Sequence, residues 1–138
     1  MSAEPARFVL DSFALLAFLE GEAGMARVKE ILKDAEKGHC VVYLCWINLG
    51  EVLYITEREQ GERKAREVLG HIQVLPIQML EVPPESIIQA AHIKANHRMS
   101  YADAFAVAAA IETGATLLTA DPEFAAIESM VSIEWLDK

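Results

Sequence analysis

Residues 8–22 read FVLDSFALLAFLEGE, a short apolar run that stops at Asp11 and continues at once as a second apolar stretch from Ser12 to Leu19. Three apolar residues ended by an acid suit a buried strand, and a polar residue in front of a longer apolar run suits a capped helix. The order is therefore strand, acid, helix. Working outward, Met25, Val28, Ile31, Leu32 and Ala35 recur at helical spacing until Gly38, and Cys40 to Leu44 form a second, valine-rich strand. A helix is expected from about Trp46 to Glu59, another from Glu62 to His71, then an extended segment from Val74 to Leu80 whose Pro76 suggests a sheet edge. Pro84 suits the first turn of a helix reaching about His97, Ser100 starts a further helix that Gly114 ends, and Thr116–Thr119 and Val131–Leu136 close the chain as strands.

Strands alternating with helices at this spacing imply right-handed crossovers. The expectation is an α/β fold of three layers, α/β/α, with a central, mainly parallel sheet covered by helices, built as a single domain over residues 1–138. In such sheets chemistry lies beyond the carboxyl ends of the strands, so residues just after strands matter most.

The 138 residues carry 12 Lys and Arg against 21 Asp and Glu, a net charge of −9, and 53% are hydrophobic. That excludes a disordered chain and a basic protein that grips nucleic acid through the phosphate backbone. No apolar stretch approaches the roughly 20 residues that span a bilayer, and residues 1–10 lack a signal-like pattern, so a cytoplasmic location away from membranes is expected. Cys40 and Cys45 lie in or beside one strand, too far apart along it to pair, and read as small buried hydrophobes.

Four acids stand in unusual places. Asp11 and Asp121 each follow a strand, and each could equally be a helix N-cap. Glu51 has Ile47, Tyr54 and Ile55 as helical neighbours, so it reads as a carboxylate within an apolar surface, which needs a partner, a metal or a raised pKa. Asp103 is the one charge in YADAFAVAAAI, residues 101–111, with the capping box Ser100-x-x-Asp103 as its alternative explanation. Together they form an all-oxygen set that suits Mg²⁺ or Mn²⁺, and the four scattered histidines add no ligand pair.

The motifs FVLDSFALLAFLEGE, INLGEVLY around Glu51, MSYADAFAVAAAIETGATLLTAD from Met99 to Asp121, and the final SIEW resemble PIN-domain ribonucleases. Within them the chain is most similar to VapC-type toxins of toxin–antitoxin pairs. The resemblance implies that Asp11, Glu51, Asp103 and Asp121 are the catalytic and metal-binding acids, with Ser12 and Thr119 as supporting hydroxyls and Glu123 as a peripheral acid. It departs at Phe13, where a second small hydroxyl residue is common, and at Gly50, where alanine is usual. It also implies an Mg²⁺- or Mn²⁺-dependent endoribonuclease, a VapB-type antitoxin partner and a homodimer. The alternative is a catalytically silent PIN-like module that binds RNA or a partner. Phosphoaspartyl enzymes want a second Asp where this chain has Phe13, and receiver domains want paired acids after the first strand; neither fits. The best local site for RNA contact is HIKANHR, residues 92–98, with Lys94, His97 and Arg98, although a solvated helix end explains those cations as well.

Overall fold

The computed structural model describes residues 4–137. The strands are β1 (Ala6–Leu10), β2 (Cys40–Cys45), β3 (Gln78–Leu80), β4 (Thr116–Thr119) and β5 (Ile133–Trp135). The helices are α1 (Ser12–Glu20), α2 (Met25–Glu36), α3 (Trp46–Gln60), α4 (Glu62–Val74), α5 (Pro84–Asn96) and α6 (Tyr101–Thr113), with a 3₁₀ helix over Pro122–Ile127. The sheet runs β3-β2-β1-β4-β5 and every neighbouring pair is parallel. This is the expected three-layer architecture, with the sheet wholly rather than mainly parallel.

Alternation along the strands explains the layers. Val9, Tyr43 and Leu117 pack under α5 and α6, whereas Leu10, Leu44 and Leu118 face the opposite way, toward α1 to α4. Runs apolar on both faces are what a parallel sheet buried on both sides requires. Cys40 and Cys45 are buried and unpaired, as expected. No helix among the described residues is long and apolar enough to cross a membrane.

Strand β1 starts at Ala6, two residues before the expected Phe8, and the boundaries of α4 and the last strand also differ from expectation. Helix α4 continues to Val74 and only Gln78–Leu80 pair as β3, because Leu75, held extended ahead of Pro76, is what ends the helix. Strand β3 does lie at the sheet edge. The last strand is only Ile133–Trp135, tied back where the Leu136 N–H donates to the Thr119 carbonyl at 2.8 Å.

The chain builds outward from β1 to β2 and β3, then returns to place β4 on the other side of β1. The strand order thus reverses between β1 and β4, the place where open parallel sheets form a crevice.

Candidate functional site

Strand register brings the first acids together. Leu10 is paired with Leu118, so one residue further along Asp11 lies beside Thr119 and two residues short of Asp121. The Asp11 N–H continues the ladder to the Leu118 carbonyl at 3.4 Å. Asp11 caps α1, its Oδ1 accepting from the Ala14 N–H at 2.7 Å, and Asp121 caps the 3₁₀ helix, its Oδ1 accepting from the Glu123 N–H at 2.9 Å. Capping and site membership are compatible here, because each cap uses one oxygen and leaves the other.

Asp103 stands in the first turn of α6, where its N–H donates to Ser100 Oγ at 3.1 Å. Carboxylate oxygens of Asp103, Asp121 and Glu123 lie within 4.8 Å of one another. Glu123, expected as a peripheral acid, is exposed and lies within this group, next to the cap that Asp121 makes on its own N–H. Asp103 lies close enough to act on the Asp11 carboxyl, and Glu51 close enough to act on Asp103, without Asp11 or Glu51 joining that triad.

Electrostatics follow from this crowding. Asp11 is 1% exposed, and burial pushes its carboxyl up to about 7, opposed by the Thr119 hydroxyl and the Ala14 N–H and reinforced by Asp103 and Asp121. Burial likewise raises Asp103 to about 6; the Ser100 hydroxyl opposes that rise, while Asp121, Glu51 and Glu123 add to it. These acids are held together against their own repulsion.

The surroundings of Glu51 correct the sequence reading. The apolar neighbours of Glu51 on helix α3 are not all covered: Ile47 is exposed, Tyr54 is 55% exposed, and Glu51 is half-buried on the boundary between covered and open faces. Helix α6 is buried throughout from Ala104 to Ala110, while Tyr101 at its start is 44% exposed.

Both expected hydroxyls sit beside the acids. Thr119 is fully buried and its Oγ1 also accepts from the Asp121 N–H at 3.0 Å. Ser12 is buried and its Oγ donates to the Asn48 carbonyl at 3.3 Å. Asn48, which the sequence reading passed over, is fully buried and donates from Nδ2 to Ser12 Oγ at 3.2 Å and to the Ala102 carbonyl at 3.0 Å. Its signal was a lone amide among Ile47, Leu49 and Val52, one turn before Glu51. Of the expected RNA contacts, Lys94 and Arg98 are exposed and His97 is half-buried, while the Lys94 ammonium also donates to the Met99 carbonyl at 2.9 Å. A concavity of about 740 Å³ between α1 and α4, lined by residues including Phe18, Thr56, Lys64 and His71, contains none of the four acids. The carboxylates of Asp103, Asp121 and Glu123 converge elsewhere, at the strand ends.

The donor set fits a hard divalent cation. An ion with metal–oxygen bonds of about 2.1 Å accepts oxygens up to about 4.2 Å apart across it, so three carboxylates already within 4.8 Å need only small movements to share one.

Comparison with known proteins gives a consistent fold. The PIN domain family model matches residues 8–129. VapBC2 from Rickettsia felis, solved bound to a promoter DNA fragment, is similar with a TM-score of 0.74 at 15% identity, covering 95% of this chain and 99% of that one. DNA-bound VapBC from Salmonella typhimurium gives 0.71 at 18%, covering 94% and 97%. The Sarcin-Ricin loop cleaving toxin VapC20 from Mycobacterium tuberculosis gives 0.67 at 22%, covering 88% and 94%. No curated protein matches the sequence.

Proposed function

This chain belongs to the PIN domain family, and from that premise we propose that it is a metal-dependent endoribonuclease, the toxin of a VapBC-type toxin–antitoxin module. The observation that carries this reading is the convergence of Asp103, Asp121 and Glu123 within 4.8 Å, with Asp11 and Glu51 beside them, at the strand-order reversal of a parallel sheet.

Asp11, Glu51, Asp103 and Asp121 would hold Mg²⁺ or Mn²⁺, with Glu123 as a further oxygen donor. When bound, the ion activates water and neutralises charge developing on an RNA phosphodiester. The protein's own contribution is position and protonation. Thr119 and the Ala14 N–H hold the Asp11 carboxylate in one orientation, and the elevated pKa values of Asp11 and Asp103 mean that cation binding displaces protons below about pH 7. Arg98, Lys94 and His97, at the turn into α6, supply the nearest positive charge on that segment for a phosphate backbone.

The solved VapBC assemblies from Rickettsia and Salmonella support a VapB-type antitoxin as partner. Exposed Trp46, Ile47 and Tyr54 on α3 and Ile87 and Ile88 on α5 support a homodimer, since large apolar side chains left in water favour association. The cytoplasm is the expected compartment.

Incubating the purified protein with stem–loop RNA and Mn²⁺ tests the reading. Cleavage is expected, falling at least about 100-fold in Asp103→Asn, because losing a ligand should cost no less than losing the partner that orients one. Binding of RNA without cleavage, unaffected by that substitution or by metal, would instead identify a silent binding module.

A further inference from the structure

Three helices meet over the Asn48 side chain. Ser12 directly follows Asp11, Ala102 directly precedes Asp103, and Asn48 itself lies one turn before Glu51 on α3, which packs against both α1 and α6. The Asn48 Nδ2 bonds the first two of these positions at 3.2 and 3.0 Å, and Ser12 Oγ returns a bond to the Asn48 carbonyl. A single amide thus joins chain positions next to three of the acids. Its Oδ1, by contrast, is buried and has no hydrogen-bond partner among the described residues. A buried acceptor left unpaired weakens a fold, while the two bonds from Nδ2 tie α1 and α6 to α3.

We infer that Asn48 is a positioning residue, whose amide holds α1 and α6 against α3 at the spacing where the repelling carboxylates of Asp11, Glu51 and Asp103 face one cation. This rests on the metal-binding reading above. An amide suits the task because its two N–H groups diverge and can satisfy a hydroxyl on one helix and a carbonyl on another, which a hydroxyl side chain of Ser or Thr cannot do together. Residues that orient metal-binding groups without touching the ion commonly alter affinity 10–100-fold when removed, about the size expected here.

The test compares calorimetric Mn²⁺ titration and thermal melting of wild type, Asn48→Leu, Ser12→Ala and Thr56→Val. Thr56 is another buried polar residue of α3, two turns beyond Asn48. Asn48→Leu is expected to melt no more than a few degrees below wild type yet to bind Mn²⁺ about 10–100-fold more weakly. Ser12→Ala, which removes the hydroxyl that the Asn48 Nδ2 bonds, should weaken binding severalfold. Thr56→Val should bind as wild type does. Mn²⁺ affinity within twofold of wild type in Asn48→Leu, or an equal loss in Thr56→Val, overturns the inference. If Asn48→Leu does not fold, unchanged affinity in Ser12→Ala overturns it. A wild-type protein that binds no Mn²⁺ overturns the metal reading itself and this inference with it.

Discussion

Asp11 is the residue whose position costs the metal-free fold most, and its titration has a definite sign. Its folded pKa of about 7 lies above the ordinary carboxyl value, as does that of Asp103 at about 6. Between the ordinary value and the folded one, the folded protein binds more protons than the unfolded chain, so its stability falls as pH rises through that window and levels off above about 7. At about 1.4 kcal/mol per pKa unit, Asp11 accounts for a few kcal/mol. We therefore expect the metal-free protein to melt at a lower temperature at pH 8 than at pH 5, and Mn²⁺ to raise the melting temperature most at pH 8; scanning calorimetry across that range with and without Mn²⁺ checks both. Much of this was legible from residue placement, since acids directly after strands and a lone acid in YADAFAVAAAI stand out without coordinates. The setting of Glu51 was not, because helical spacing reveals which side chains share a face but not whether another element covers it. Asn48 was missed for a related reason: an amide between apolar neighbours reads equally well as exposed, and only the meeting of α1, α3 and α6 shows that it is buried.

Among the elements, α6 carries the clearest demand on sequence. Its alanine-rich run from Ala104 to Ala110, broken only by Phe105 and Val107, is buried against the sheet and α5, with Gly114 in a left-handed conformation at its C-terminal end, donating its N–H back to the last turn. Alanine lets the backbones approach, and a larger side chain would have no space. Ala108→Leu should destabilise by about 1–3 kcal/mol through overpacking, measured as a lower urea midpoint, whereas a leucine that raised the midpoint would show a void where we find close packing. That α6 is a buried helix could be read directly, because no charge follows Asp103 before Glu112. The end of α4 could not be read to the residue, since Val74 through Leu80 is apolar enough for either state and Pro76 acts through the residue before it. At β5 the apolar stretch Val131–Leu136 exceeds the paired segment, because pairing partners on β4 extend only over Leu117–Thr119.

For the molecule as a whole, the net charge of −9 first argues against nucleic acid. The fold alters that reading by gathering five of the carboxylates at one end of the sheet, where divalent ions would offset them. Two ions, contributing four positive charges, would leave −5, so RNA binding should be weak, metal-dependent and salt-sensitive rather than tight. The fold class was readable in full from the alternation of strands and helices; the order β3-β2-β1-β4-β5, which creates the crevice, rests on long-range pairing that local patterns do not encode. The measurement that bears most directly on the central claim is the cleavage rate of a stem–loop RNA by EDTA-treated protein at pH 8 as Mn²⁺ is added. The account predicts no cleavage without the ion, a rate that rises to saturation with Mn²⁺, and new ends carrying 5′-phosphate and 3′-hydroxyl groups. RNA left intact at saturating Mn²⁺, or cut equally well in EDTA, would contradict it.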